Sequence, residues 1–240
     1  MPVRKLINWL RGNKSAAAVS IAAATSGDAP LIIVITPEAE VRDELRIVKK
    51  LFDAGLTRLH LRRHDWGVED YRDWLLELPK KYHNRVVLHG HPELVSEFGL
   101  AGIHLQSQRG PARGGRGHRS KSKGASDDIP VSRSCHDYDE LMQGPKDCEY
   151  ATLGPVFPSI SKRGYAPRRT PEEFAAIVDY WHRENDGHPI IALGGVTPEN
   201  IGFVRESGFA GAAVVGWVWE SESPVGAFKQ LVAAWNAAGK

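Results

Sequence analysis

Leu153-Gly-Pro-Val-Phe-Pro-Ser-Ile-Ser-Lys-Arg-Gly164 and, one helical stretch later, Ile190-Ile-Ala-Leu-Gly-Gly-Val-Thr-Pro-Glu-Asn200 are built alike. Each begins as a short apolar strand and breaks into glycines or hydroxyl-bearing residues at its end. There, backbone N–H groups and a lysine can approach an anion with no side chain in the way. The pair reads as two successive strand ends that share one phosphate site, with Gly194, Gly195 and Lys162 in it. Each unit then hands over to a helix. Thr170-Pro-Glu-Glu173 has capping-box spacing with Pro at the first helical position, and Thr197-Pro-Glu-Asn200 repeats the cap and the proline.

Working outward, the same alternation runs through the chain. Short apolar or β-branched runs occur at 31–36, 56–61, 85–89, 102–105, 129–134, 149–153, 189–193 and 211–215, as buried parallel strands require. Amphipathic stretches at 38–54, 68–78, 92–98, 138–142, 171–183, 198–207 and 225–237 lie between them. These are eight strands and seven helices, with a basic loop where the fourth helix would stand. The expected fold is α/β, a (β/α)8 TIM barrel with one degenerate unit. A doubly wound sheet is the alternative, but Val34-Ile-Thr-Pro-Glu-Ala39 lacks the glycines of a dinucleotide fingerprint.

Composition agrees with one large domain. The chain has 240 residues, 42% of them hydrophobic, enough for a barrel core. Two cysteines without metal-ligand spacing argue against a disulfide framework or structural zinc, and a cytoplasmic setting is the expectation. A net charge of +2 does not favour a general nucleic-acid surface, and no run reaches a membrane span. Residues 1–30 read as a partly disordered or helical extension to the 31–240 barrel. Residues 107–124 carry Arg109, Arg113, Arg116, Arg119, Lys121 and Lys123 among glycines and serines, a composition expected to form a mobile loop.

In a TIM barrel the chemistry sits at the carboxyl ends of the strands. Here those ends read His60-Leu-Arg62, His89-Gly-His91, His104-Leu-Gln106, Ser134-Cys-His136, Gly154 with Ser159, Ser161 and Lys162, Gly194-Gly195, and Val215-Gly216. Residues two apart share a face, so His60 with Arg62, and His89 with His91, are expected to point inward together.

The order of these motifs resembles the thiamine phosphate synthase and TenI (thiazole tautomerase) family over residues 31–235. Gly154-Pro-Val-Phe-Pro and Gly194-Gly-Val-Thr-Pro-Glu-Asn200 are specific together. The resemblance implies a barrel that binds a thiazole phosphate through Gly194, Gly195, Val215 and Gly216. It places a pyrophosphate or second substrate among His60, Arg62, His64, His89, Ser134, Ser159, Ser161 and Lys162. In the synthase, the thiazole is joined to hydroxymethylpyrimidine pyrophosphate.

Departures from the family pattern separate its members. The synthase's Gln-x-Arg-x-Lys is His60-Leu-Arg62-Arg63-His64 here, and its magnesium-binding Asn-Asp is His89-Gly90. Its second magnesium Asp aligns near Arg109, and its serine after the eighth strand is Gly216. The tautomerase's proton-shuttling histidine is kept, as His136 in Ser134-Cys-His136. A tautomerase is thus the favoured reading, with no metal site and no cofactor, and thiamine phosphate synthase the alternative, for which Mg²⁺ would be expected. The expected partner is a phosphorylated small molecule rather than membrane or nucleic acid, and a homo-oligomer is left open. Two other classes fit parts of the pattern: a metal-dependent hydrolase using the strand-end histidines, and a non-catalytic ligand- or RNA-binding protein using the Arg/Gly loop.

Overall fold

A computed structural model describes residues 30–107, 129–143, 148–160, 164, 166–184 and 188–239. The 1–30 extension apart from Pro30, the basic loop apart from Ser107, and Ser161 and Lys162 lie outside the described residues. Eight parallel strands close into a barrel in sequence order. They are β1 (Leu31–Ile35), β2 (Arg58–Leu61), β3 (Val86–Leu88), β4 (Gly102–Leu105), β5 (Val131–Cys135), β6 (Tyr150–Leu153), β7 (Ile190–Leu193) and β8 (Gly211–Val214). The helices are α1 (Glu44–Asp53), α2 (Val68–Glu77), α3 (Pro92–Phe98), α4 (Tyr138–Gln143), α5 (Pro171–Glu184), α6 (Ile201–Glu206), α7 (Gly216–Trp219) and α8 (Pro224–Ala237). This is the expected TIM barrel, closed by β1 against β8 with Leu31 opposite Gly211. No helix among the described residues is long and apolar enough to cross a membrane.

Two cores follow from the period-two alternation of the strands. Ile32, Val34, Leu59, Leu61, Leu153 and Val214 face outward onto helix residues such as Leu51, Leu75, Trp181 and Leu231. Inside the barrel, Leu31, Ile33, Ile35, Tyr150, Ile191 and Ala213 form a small apolar cluster. The rest of the interior is polar. Arg58, His60, His104, Ser132 and Thr152 are all buried, where barrels of this class ordinarily stack branched aliphatic residues. Arg58 is held by Glu149 and by the carbonyl of Asn84.

Local chemistry shifts some boundaries. The helix expected over 38–54 begins only at Glu44, because Asp43 adopts left-handed backbone (φ 61°) and breaks the run. Residues 37–43 instead form a loop tied to the end of β2, where Arg63 donates to the Pro37 carbonyl and pairs with Glu44. The helix expected from Pro198 starts at Ile201, with residues 197–200 wound as a turn in which Asn200 and Ile201 donate to the Thr197 carbonyl. Thr170 and Glu173 do form the reciprocal capping box. Two short elements have no periodic signature: a 3₁₀ turn over Lys80–Arg85, and α7.

Candidate functional site

The carboxyl ends of the strands enclose a cavity of about 440 Å³, within the range that holds a cofactor-sized or smaller ligand. Its two halves differ in chemistry. One is made of the β6 loop, β7 and the start of α7, lined by Pro155, Ile160, Gly194, Gly195, Val215, Gly216 and Trp217. The other carries the polar side chains Arg62, His89, His104, Ser134, His136 and Thr152.

The glycine half is shaped by the approach of two loops. Gly194 and Gly195 have positive φ, 94° and 63°. A Cβ on Gly195 would lie 2.2 Å from the Pro158 carbonyl oxygen, and one on Gly194 would lie 2.7 Å from Pro155 Cβ. Phe157 N–H donates to the Gly194 carbonyl, and Asn200 Nδ2 holds the Gly195 carbonyl at 2.9 Å. The same two glycines that expose their backbone to the cavity are therefore also required where the β6 loop lies across β7.

On the polar half, hydrogen-bond partners fix much of the protonation. His136 Nδ1 is 2.9 Å from the Gly154 carbonyl, which can only accept, so Nδ1 carries the proton and the Nε2 of a neutral ring is left basic. His136 N–H and Ser107 Oγ both donate to Glu140, at 2.8 and 2.7 Å. This ties the end of β5 and the loop after β4 to α4. Arg62 extends from the end of β2, its backbone N–H donating to Thr36 Oγ1 and its guanidinium reaching Glu38 and His64.

Deeper in, His104 bridges Ser132 and Ser134 at 2.8 and 2.7 Å. His60 lies behind His89 and His104, fully buried. Its Nδ1 is 3.0 Å from His89 Nε2, and its Nε2 is 2.6 Å from the Tyr150 hydroxyl. Burial, reinforced by the neighbouring rings, pushes His60 and His89 well below the ordinary imidazole range. Burial with the nearby Arg62 brings His104 down to about 3. All three are neutral imidazoles.

Of the residues singled out in the sequence, Arg62, His89, Ser134, His136, Ser159, Gly194, Gly195, Val215 and Gly216 line this one cavity. His60 does not reach its surface, and the half-exposed His64 stands outside, against Arg62 and Glu38. His91, expected to share a face with His89, turns away. β3 ends at Leu88, and His91 takes left-handed backbone (φ 55°) and packs on Tyr71. Sequence reasoning named His104 as a strand-end residue without placing it in the site. It passed over Thr152, Tyr150 and Trp217, whose only signal was their position on an inward-facing register or just past a strand.

Comparisons with known proteins bear on the family and the fold. The TMP-TENI family model, described as thiamine monophosphate synthase, matches residues 31–218. The thiamine-phosphate synthase of Phocaeicola vulgatus is 25% identical over 184 residues, covering 75% of this chain and 86% of its own. That of Nitrosococcus oceani is 29% identical over 165 residues, covering 65% and 69%. A crystal structure of thiamine phosphate pyrophosphorylase from Bacteroides thetaiotaomicron superposes with a TM-score of 0.67 at 29% identity, covering 85% of this chain and 96% of that one. Matched by the family model across all eight strands, and by a solved structure over 85% of its length, the chain belongs to the TMP-TENI family of thiamine biosynthesis.

Proposed function

We propose that this protein is a thiazole tautomerase of the TenI kind, which moves a proton on a thiazole phosphate to aromatise the ring. The observation that carries the reading is the state of His136, an imidazole held as its Nδ1–H tautomer at the cavity wall. Its Nε2 takes a proton from the substrate ring, and the resulting imidazolium returns one at another ring atom, so the reaction is a balanced isomerisation. The backbone of Gly194, Gly195 and Gly216 receives the phosphate, and Ser159 lines the same cavity. Arg62, His89 and Ser134 face the remainder of the ligand.

A second reading, thiamine phosphate synthase, is favoured by the relatives, which are thiamine-phosphate synthases. It requires a pyrophosphate leaving group, normally screened by magnesium. The described cavity wall does not suit that ion: it has hydroxyls, carbonyls and imidazoles but no Asp or Glu side chain, whereas Mg²⁺ prefers carboxylate and water oxygens. In this reading Arg62, with the basic residues between 109 and 123, would carry the pyrophosphate charge instead.

One assay separates the two. The protein is given the thiazole tautomer alone, then aromatic thiazole phosphate with hydroxymethylpyrimidine pyrophosphate, with and without Mg²⁺. Aromatisation in the first mixture and no thiamine phosphate in the second is the expected result. Thiamine phosphate formation without tautomer turnover would replace this reading by the second.

A further inference from the structure

Three histidines from three adjacent strands meet at the inner end of the cavity. The ring centroids of His60, His89 and His104 lie 5.1, 4.9 and 4.5 Å apart pairwise. One nitrogen from each falls within 4.8 Å of the others. Among the described residues, their hydrogen-bond partners are Tyr150, Ser132, Ser134 and one another, with no carboxylate or cation among them. His89 Nδ1 is buried with no hydrogen-bond partner among the described residues.

Two buried imidazoles with a third at the cavity wall are costly as a purely structural device, because aliphatic side chains would fill the same layer with no polar atoms to satisfy. They are, however, what a borderline transition-metal ion requires: imidazole nitrogens converging from three directions, with His60 and His104 also hydrogen-bonded to hydroxyls that orient their rings. In a tetrahedral Zn²⁺ site with Zn–N of about 2.0–2.1 Å, ligand nitrogens stand about 3.3 Å apart. The His60 Nδ1 to His89 Nε2 separation of 3.0 Å is already close to one such edge. The third ring needs a shift on the order of 1 Å to complete the set.

We propose that His60, His89 and His104 form a binding site for one borderline divalent transition-metal ion of the Zn²⁺ class, at the inner end of the cavity. His60 ligates through Nδ1 while its Nε2–H donates to the Tyr150 hydroxyl. His104 ligates through one nitrogen while a serine hydroxyl orients the ring through the other. His89 ligates through Nε2, its proton moving to Nδ1, so three neutral rings become ligands with no net gain or loss of protons. Because His89 and His104 line the cavity, the fourth position is open toward the ligand, as in catalytic rather than structural zinc sites. An all-nitrogen set selects such an ion against Mg²⁺. The inference does not depend on which family reaction the protein catalyses.

The test uses untagged full-length protein, stripped with a chelator and dialysed against Zn²⁺ in the presence of excess Mg²⁺. One equivalent of zinc per chain is expected, with X-ray absorption showing three imidazole scatterers at about 2.0–2.1 Å. Tyr150→Phe should weaken zinc binding about 10- to 100-fold, and His89→Gln or His104→Gln should weaken it further. A His64→Gln/His91→Gln double variant, lacking the histidines outside the cluster, should bind as wild type does. Less than half an equivalent on folded wild type, displacement by Mg²⁺, or fewer than three imidazoles in the spectrum overturns the proposal, even if the His89 or His104 variants fail to fold. Binding that survives in folded His104→Gln overturns it equally.

Discussion

His136 Nδ1 and the carbonyl of Gly154 are 2.9 Å apart, so the end of β5 is bonded to the first residue past β6. The bond does two things: it turns the ring toward the cavity, and it leaves the Nε2 lone pair as the ring's free basic site. An asparagine can still donate to that carbonyl but cannot act as a base. His136→Asn should therefore lower tautomer turnover about 10²- to 10⁴-fold while thiazole phosphate affinity changes little. Turnover by rapid mixing and affinity by calorimetry separate the two effects. Equal losses in both would make His136 a binding residue only.

The contacts of Gly195 predict a coupled loss. Its backbone is left-handed, and a Cβ would press on Phe157 and Pro158. Gly195→Ala must therefore push the β6 loop away from β7, and the φ strain alone costs about 1–2 kcal/mol. Stability in urea and phosphate-ligand affinity should fall together. Lost affinity at unchanged stability would mean that the glycine serves the anion alone.

This also marks where the sequence was legible. The barrel could be read because each strand and most helices carry their own local signal, down to the Thr170 capping box. The residues of the cavity were mostly legible for the same reason, since strand ends are fixed once strands are. What local patterns could not give was depth. Nothing in His60-Leu-Arg62 says that the first side chain is sealed behind two others while the second reaches the cavity. Nor did the double glycine reveal the loop packed across it, because Pro158 and Gly195 are brought together by the pairing of β6 with β7.

Arg63 and Glu44 form a buried ion pair linking the end of β2 to the start of α1. Burial raises the Glu44 carboxyl above its ordinary value, although Arg63 opposes the shift. A raised carboxyl favours the folded state at low pH, and that contribution is lost as pH rises through the folded value. Arg63→Met leaves the carboxylate buried without its cation and should cost about 3–5 kcal/mol near neutrality. The penalty should shrink as pH falls, because Glu44 then takes up a proton. Urea titrations of both proteins at pH 5 and pH 8 measure this, and a penalty equal at both would remove the carboxylate as its cause.

Cys135 tests the register on which the site depends. It lies between Ser134 and His136, and because side chains alternate along a strand it faces outward, 1% exposed, while its neighbours face the cavity. Burial, with Glu140 nearby, pushes its thiol up to about 12. At pH 8 only about one part in ten thousand would be thiolate, the form that reacts. Iodoacetamide should leave Cys135 unmodified in the native protein at pH 8 and at pH 9, and modify it readily in urea, as read by peptide mass spectrometry. Phosphate ligands should not alter this, since the thiol does not line the cavity. Rapid native labelling that ligand suppresses would place Cys135 on the cavity side, with β5 shifted by one residue and His136 turned away from the substrate.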